Sequence, residues 1–361
     1  MRNRASVAPQ DVVASSLILL MLAVAFALFS ADSGLYRQII REDGPVEWMT
    51  FWAFALAGGL SLLALAREAS LEHPLRTLYL AAFALGALAV AMEEISWGQR
   101  LFGYQPPERF LADNFQQELN LHNLADSATR KGILTALLIG FGIVFPVVAR
   151  LPWAGRLLQQ WMLPAPSLAL IPGFVALVTV YLLYPIDSTG EWVELGAGLG
   201  FFLAALGYPG KPTRSSLLLL GSAPLLLGAV TPLLLVTTAD PKRIETATLE
   251  SQALAQDFKN RRLRSRCGVH KRIYTFVQDY GAGNLARGAW GQLDFAEGTD
   301  ALRREYFLDP WNQPYWIWHV CSGDRPSAVF VYSFGPDRRR DSSRDGVIAD
   351  DVGAYAYRAT D

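Results

Sequence analysis

The first 237 residues contain few charged side chains, and the whole chain has little cysteine and histidine. Only 18% of the 361 residues are charged, two are cysteine and four are histidine. A formal net charge of −1 excludes the basic excess that marks nucleic-acid-binding proteins. No H-E-x-x-H, G-x-S-x-G or H-x-x-x-H pattern occurs, so the common zinc-protease and serine-hydrolase motifs are absent.

Long hydrophobic runs are what the sequence has instead of charge. A helix needs about 20 apolar residues to cross the ~30 Å hydrocarbon core of a membrane. Stretches that approach or meet this length are predicted as seven spans: 11–30, 46–66, 75–97, 131–149, 165–184, 192–208 and 215–237. Charge becomes dense after residue 237. The sequence therefore predicts a transmembrane helical domain over 1–237 and a soluble α+β domain over 238–361.

Basic residues between the predicted spans indicate the orientation. Arg67 and Arg76 lie between the second and third spans, and Arg150 and Arg156 lie between the fourth and fifth. Because short cytoplasmic loops are enriched in Lys and Arg, this side is expected to be cytoplasmic. We therefore predict a protein of the bacterial inner membrane, with the lipid bilayer as a partner, a cytoplasmic N-terminus and a periplasmic or extracellular C-terminal domain.

Both cysteines, Cys267 and Cys321, fall in the predicted exported domain. A disulfide between them would close a loop of about 55 residues and contribute about 4 kcal/mol to stability in the chain-entropy model. Two unpaired buried thiols are the alternative, because the sequence does not fix the distance between them.

Two adjacent carboxylates, Glu93 and Glu94, interrupt the outer end of the third predicted span. Negative charge is unfavourable at a helix C-terminal end, so this pair needs a partner. One interpretation is a structural clamp with Arg100 or Arg109. A second is a catalytic or metal site that includes His122, and a third is a proton or ion relay.

Two further features lie on the same predicted outer side. Glu47, Glu191 and Glu194 stand at the starts of spans, where they are expected to complement helix dipoles. The stretch 107–132 is predicted as an amphipathic helix along the membrane surface, with Glu118 and His122 four residues apart. Such a helix would cover the acidic group.

The C-terminal domain shows a helix followed by strand patterns. We predict a helix leaving the membrane over 246–281. YWIWHV and AVFVYSF are rich in aromatic and β-branched residues and are separated by turn signals, which is typical of strands. The expected fold is a long helix packed on a small antiparallel sheet.

DPWNQPYWI (309–317), followed by VYSFGPDRRRDSSRDGVIADDV (331–352), resembles the C-terminal region of the major pseudopilins of type II secretion. That family has an Asp-Pro-Trp-Gly-Asn-Pro-Tyr turn and a calcium-binding loop. The resemblance implies calcium ligands among the aspartates of this loop, namely Asp337, Asp345, Asp350 and Asp351, with Asp341 less favoured. Asn312 replaces the family's turn glycine, and the arginines at 338–340 and 344 offer charge neutralisation without metal as an alternative.

The membrane half, through EEISWGQR and NLHN, resembles uncharacterised polytopic bacterial membrane proteins, which implies no function. We predict an accessory, assembly or scaffold subunit of an envelope complex, with other envelope or membrane proteins as partners. The alternative is a membrane-embedded hydrolase or transferase, in which Glu93, Glu94 and His122 act on a lipid-like substrate at the outer leaflet. A transporter is a third interpretation. Incorporation into a filament is not expected, because six spans precede the pilin-like part.

Overall fold

The chain forms two compact units. The structure is a computed structural model that describes residues 8–41, 43–67, 73–114, 116–209, 221–234, 240–260, 267–280, 285–323 and 325–359. The membrane unit comprises Met1–Trp97 and Ala125–Leu234, and the C-terminal unit comprises Gly98–Leu124 and Leu235–Asp361. The loop after the third predicted span thus belongs to the C-terminal unit.

Helices dominate the described part of the chain. In chain order they are α1 Pro9–Ala31, α2 Ser33–Ile39, α3 Pro45–Arg67, α4 Pro74–Glu94, α5 Gln99–Phe102, α6 Glu108–Asp113, α7 Ser127–Ile139, α8 Phe145–Val148, α9 Pro152–Gln160, α10 Ile171–Leu183, α11 Thr189–Ala205, α12 Ala223–Leu234, α13 Pro241–Asn260, α14 Ile273–Tyr280 and α15 Thr299–Tyr306. The strands are β1 His270–Arg272, β2 Trp316–Ser322, β3 Arg325–Ser333 and β4 Val352–Arg358. A π-helical turn, Gly140–Val144, joins α7 to α8.

Among the described residues, four helices are long and apolar enough to cross a membrane. They are Pro9–Ala31, Pro45–Arg67, Pro74–Glu94 and Ser127–Val148, which coincide with the first four predicted spans. The other three predicted stretches contain shorter helices, α10, α11 and α12, of 13, 17 and 12 residues. Residues 215–220 and 235–237 of the last predicted span lie outside the described residues. A membrane protein is thus supported, and four of the predicted spans have the necessary length.

Small residues let the helices of the membrane unit approach one another closely. The Phe174 side chain in α10 lies against Gly142 and Gly200, where an added Cβ would overlap its ring. Phe141 and Phe201 stack with their ring centroids 4.0 Å apart. Because lipid tails are as apolar as the helices, close packing of this kind is what holds membrane helices together.

The C-terminal unit contains a four-stranded antiparallel sheet in the order β1-β2-β3-β4. The two predicted strand stretches form β2 and β3. Helix α13 packs on β3 and β4, and its Leu254 and Phe258 join Ile317 and Val331 in one core. The prediction of a helix packed on a small antiparallel sheet is confirmed.

The predicted helix over 246–281 is wrong in its second half. Helix α13 ends at Asn260, and β1 and α14 follow. Residues 261–266 lie outside the described residues. His270–Arg272 pairs with Trp318–Trp316 of β2, so the backbone bonds gained in the sheet override the local helical pattern.

The two cysteines are placed to form a disulfide. Cys267 precedes β1 and Cys321 lies in β2, and their Cα atoms are 5.5 Å apart, within the usual range. The pair would link the start of the sheet to its second strand.

The predicted amphipathic helix over 107–132 is also wrong. Helix α6 ends at Asp113, and a 3-10 turn at His122–Leu124 precedes α7. Asn114 ends the first helix because its side chain bonds the nearby backbone. Its Nδ2 donates to the Glu118 carbonyl oxygen at 2.6 Å, and its Oδ1 accepts from the Gln116 amide at 2.7 Å.

Candidate functional site

Asp309 organises the DPWNQPY turn from inside the C-terminal unit. Its carboxylate is fully buried and accepts hydrogen bonds from the Trp311 and Gln313 amides, both at 2.8 Å. The Ser333 hydroxyl also donates to it, and the Gly335 amide donates to that hydroxyl. Burial raises the pKa of Asp309 to about 6. The turn is thereby tied to the end of β3, where the aspartate-rich loop begins.

This loop, 335–351, brings three carboxylates together. One oxygen each of Asp337, Asp341 and Asp350 lies within 4.8 Å of the others, an arrangement that could hold a metal ion. The Asp350 carboxylate accepts from the Asp337 amide at 3.3 Å, and Asp337 accepts from the Arg339 amide at 2.7 Å. Gly335 has φ 69°, and a Cβ there would clash with the Asp350 carbonyl oxygen. Close approach of the two loop ends therefore requires glycine.

The group of Asp337, Asp341 and Asp350 is electrostatically unfavourable by itself. Burial raises the pKa of Asp337 to about 6, and the charges of Asp350 and Asp341 act in the same direction. Burial also raises the pKa of Asp350. A cation bound between the three carboxylates would relieve this repulsion, and carboxylate oxygens are the ligands that calcium prefers.

Two of the four expected ligands, Asp345 and Asp351, are not members of this group. Asp351 is buried, and its Oδ2 accepts from the Asp341 and Ser342 amides at 3.1 and 2.6 Å. Burial raises the pKa of Asp351 to about 7. Asp345 is exposed, and the Ser343 hydroxyl donates to it at 3.3 Å. Asp351 therefore shapes the loop, and Asp341 stands in the cluster.

The arginines of the loop differ in their surroundings. Arg338 is buried, and its guanidinium lies against Gly103, where an added Cβ would overlap it. Arg339 and Arg340 are half-buried and Arg344 is exposed. Arg338 thus packs against the 98–124 segment.

The 98–124 segment is bonded to the rest of the C-terminal unit along its length. Gln105 Nε2 donates to the Thr299 carbonyl oxygen at 2.9 Å, and Gln117 Nε2 donates to the Tyr306 carbonyl oxygen at 3.1 Å. Leu111 is fully buried in a cluster with Tyr306 and Leu308. This segment is therefore a structural part of the unit.

Three residues that the sequence singled out lie in this segment. Glu118 is buried, whereas His122 is exposed in the 3-10 turn. Arg109 is exposed and pairs with Asp113 at 3.9 Å on the same helix. The side chain of Arg100, the other expected clamp residue, lies outside what the structure describes.

Glu93 and Glu94 lie in the membrane unit, at the end of α4. Glu93 accepts a hydrogen bond from Trp97 Nε1 at 2.6 Å. The charges of Glu194, Glu191 and Glu47 act on Glu94, as does that of Glu93. We call these five residues the acidic rim. The start of α3, the end of α4 and the start of α11 thus carry glutamates that are far apart in sequence but whose charges act on one another, and neighbouring carboxylates of this kind can share a proton.

Arg130 and Tyr181 lie near one member of the acidic rim. The charges of Glu194 and Arg130 both act on the Tyr181 hydroxyl. Arg130 stands in the first turns of α7, in the same unit. Arg100 and Arg109 are the counter-ions that the sequence predicts for this group. Arg130 is not predictable in this way, because its proximity to Tyr181 depends on how α7 and α10 pack.

The role of Asp309 was not predicted from the sequence. Its position at the start of an Asp-Pro turn was the available signal, since such aspartates bond the backbone two residues on. Asp341 lies in the cluster although the resemblance favours it less, because the path of the loop decides which carboxylates meet.

No family model matches the chain, and no curated protein or solved structure is significantly similar to it. The resemblance to pseudopilins rests on residues 309–317 and 331–352.

Proposed function

We propose that the protein is an integral membrane accessory or scaffold subunit of an envelope complex, which presents a pseudopilin-like, calcium-binding unit outside the bacterial inner membrane. Seven spans would leave the N-terminus in the cytoplasm and the C-terminal unit in the periplasm. The observation that carries this proposal is that 98–124, the loop that follows α4, forms one unit with the C-terminal 127 residues, 235–361.

The inclusion of 98–124 in the C-terminal unit supports the proposed orientation of the chain in the membrane. Helix α4 is long and apolar enough to cross a membrane, and a crossing helix has its two ends on opposite sides. Arg67 and Arg76 lie at its first end, and 98–124 follows its second. Because 98–124 belongs to the C-terminal unit, the proposed topology assigns that unit to the side opposite these arginines. The enrichment of cytoplasmic loops in basic residues makes this the outer side.

The same observation favours a scaffold over a filament subunit. A pseudopilin is attached to the membrane through one helix. Here the unit is joined to the membrane helices where α4 ends, where α7 begins and where α12 ends. A unit that includes a loop between two membrane helices stays at the membrane, where it is suited to hold partner proteins.

Calcium is the ion proposed for Asp337, Asp341 and Asp350. These residues offer hard oxygen ligands, and calcium completes its six to eight ligands with backbone carbonyls and water in such loops. Exported calcium sites bind weakly enough to respond to extracellular concentrations.

Single introduced cysteines test the orientation. Ile348 in the aspartate loop and Gln160, the polar last residue of α9, are both exposed, so they form a pair of accessible positions. We expect a membrane-impermeant maleimide to label Ile348→Cys in spheroplasts, and Gln160→Cys only after the membrane is permeabilised. The reverse pattern would contradict the proposal.

A photo-crosslinking amino acid at Ile348 then tests the scaffold role in intact cells. We expect a crosslinked product with another envelope protein, identified by mass spectrometry, that is lost in Asp337→Asn. The same group at Leu249, 55% exposed on α13, is the control for non-specific capture. Identical products from both positions, or none from any exposed position of the unit, would argue against a scaffold.

A further inference from the structure

A cavity of about 420 Å³ opens at the end of the membrane unit where α4 begins and α8 ends. Its wall includes Arg76 from the first turn of α4 and Arg150 after α8. Gly155, Leu158 and Gln159 of α9 and the 162–166 segment complete it. The cavity thus lies where one helix long enough to cross a membrane begins and another ends, and the ends of such helices meet the lipid headgroups.

Helix α9 has the form of a helix that lies in the membrane surface. It has only nine residues, too few to cross a membrane. Its Ala154 is buried, whereas Trp153 is 60% exposed and Leu157 48% exposed. Helix α9 begins one turn after a helix that is long enough to cross a membrane. On such a helix, exposed tryptophan and leucine side chains insert into the boundary between headgroups and acyl chains.

The charge of the cavity is positive. Two arginines line it, and none of the described residues in its wall is acidic. Arg76 Nη1 donates to the Met162 carbonyl oxygen, which holds the 162–166 segment beside α4. Asp11, an acidic residue of α1, is buried and accepts from the Ser167 amide at 2.6 Å, so its carboxylate serves to hold the backbone.

The rest of the wall is apolar or amide-bearing. Leu158, Met162 and Leu163 provide apolar surface beside the arginines, and Gln159 provides a hydrogen-bonding amide. A ligand suited to this wall has an anionic group for the arginines and an apolar part for the leucines and methionine. Arginine matches phosphate oxygens in both geometry and charge.

We propose that this cavity binds the phosphodiester headgroup of an anionic phospholipid. Arg76 and Arg150 contact the phosphate, and the acyl chains run along the apolar residues of α9. Basic pockets between membrane helices take anionic lipid headgroups by the same chemistry. The inference is independent of what the C-terminal unit does.

Thermal unfolding of the full chain in a non-ionic detergent tests this site. Phosphatidylglycerol and phosphatidylcholine are titrated separately, with tryptophan fluorescence as the readout. We expect phosphatidylglycerol to raise the unfolding temperature saturably and phosphatidylcholine to leave it unchanged. Each arginine contributes about fivefold to the apparent affinity, so Arg150→Gln weakens it about fivefold and the Arg76→Gln/Arg150→Gln double variant about 25-fold.

Arg156→Gln is the matched control. Arg156 lies on α9, the helix that forms part of the cavity wall. It donates to the Pro152 carbonyl oxygen at 3.1 Å and does not itself line the cavity. We expect the affinity of Arg156→Gln for phosphatidylglycerol to stay within twofold of that of the unsubstituted chain. Arg150→Lys should recover most of the affinity that Arg150→Gln loses. Arg76 also donates to the Met162 carbonyl oxygen, so its substitution removes a structural hydrogen bond. If the double variant does not fold, the single variant Arg150→Gln decides the test.

Three results would overturn the proposal. Equal stabilisation by phosphatidylcholine would remove the headgroup preference. Equal weakening by Arg156→Gln and Arg150→Gln would indicate a diffuse basic surface. Inorganic phosphate that stabilises the chain as well as phosphatidylglycerol, and competes with it, would assign the cavity to a free anion.

Discussion

Asn312 Nδ2 donates a hydrogen bond to the Gly103 carbonyl oxygen at 2.8 Å and so joins the DPWNQPY turn to the 98–124 segment. Asn312 has φ 62°, a left-handed conformation that glycine adopts freely and asparagine tolerates. The residue that replaces the family's turn glycine thus keeps the turn and adds a contact with the 98–124 segment.

The hydrogen bond and the left-handed backbone of Asn312 predict how two substitutions at this position rank in stability. Asn312→Gly keeps the left-handed backbone and loses one hydrogen bond, which costs about 1 kcal/mol of unfolding free energy. Asn312→Ala loses the bond and strains the backbone, which costs about 2 kcal/mol or more. Denaturant unfolding of the full chain in detergent measures both. A glycine variant less stable than the alanine variant would contradict this account.

Removal of the cysteine pair is expected to destabilise the C-terminal unit. A cross-link over a separation of 54 residues contributes about 4 kcal/mol in the chain-entropy model. The Cys267→Ser/Cys321→Ser double variant should therefore unfold at much lower denaturant concentration than the oxidised chain. Reduction of the unsubstituted chain should give the same shift. An unchanged midpoint on reduction would show that the pair is not bonded in the purified protein.

The buried Glu250 predicts a dependence of stability on pH. Arg303 Nη2 donates to both of its carboxylate oxygens, at 2.7 and 2.8 Å, and the Tyr315 hydroxyl donates at 2.8 Å. Burial nevertheless raises the pKa of Glu250 from 4.5 to about 7. The folded state therefore binds a proton more tightly than the unfolded state, so the stability contribution is full below pH 4.5 and is lost as pH rises through about 7.

Unfolding measured from pH 5 to pH 8 checks this direction. A decline on the order of 3 kcal/mol is expected from Glu250. Glu250→Gln should flatten this part of the profile. Asp279→Asn, which removes an exposed partner of Lys271, is the control that should leave the profile unchanged. Asp309, Asp337 and Asp351, whose pKa values are also raised, leave a smaller decline of their own in the variant. A decline that Glu250→Gln does not reduce would contradict the assignment to Glu250.

Calcium affinity should depend on the three clustered aspartates more than on the other aspartates of the loop. Asp341→Asn removes a carboxylate from the group with Asp337 and Asp350 and is expected to lower calcium affinity at least tenfold. Asp345→Asn changes the charge of the same loop by the same amount outside the cluster and should have a much smaller effect. Calorimetric titration of chelator-treated protein measures both. Equal effects would indicate general electrostatic attraction, and no binding by the unsubstituted chain would contradict a calcium site.

Glu94→Gln is expected to raise the unfolding temperature of the membrane unit. The substitution removes one charge from a group in which four other glutamates act on Glu94. Glu108→Gln, on the helix α6 of the other unit, is the control for loss of one negative charge. Thermal unfolding of the full chain in detergent is the measurement. A lower unfolding temperature for Glu94→Gln would show that the carboxylate holds a cation or an ion-pair partner.

Local pattern determined much of the architecture from the sequence. Apolar runs of sufficient length located four helices that are long enough to cross a membrane, because such a helix satisfies its own backbone and depends little on distant residues. The β2 and β3 stretches were found for a similar reason, since alternating aromatic and β-branched residues favour strands wherever they pair. The position of Glu93 and Glu94 at the end of a helix was also visible in the sequence.

Contacts between distant residues were decided by the tertiary structure. His270–Arg272 became a strand only because β2 offered backbone partners. Asn114 ended a predicted helix through its own side-chain bonds, and Leu111 then joined Tyr306 and Leu308 almost 200 residues away. The electrostatic influence of distant glutamates on Glu94, and the presence of Asp341 instead of Asp345 or Asp351 in the aspartate cluster, depend on the paths of helices and loops in space. A linear pattern records residue types and spacing, whereas these sites require the distances between segments that only packing sets.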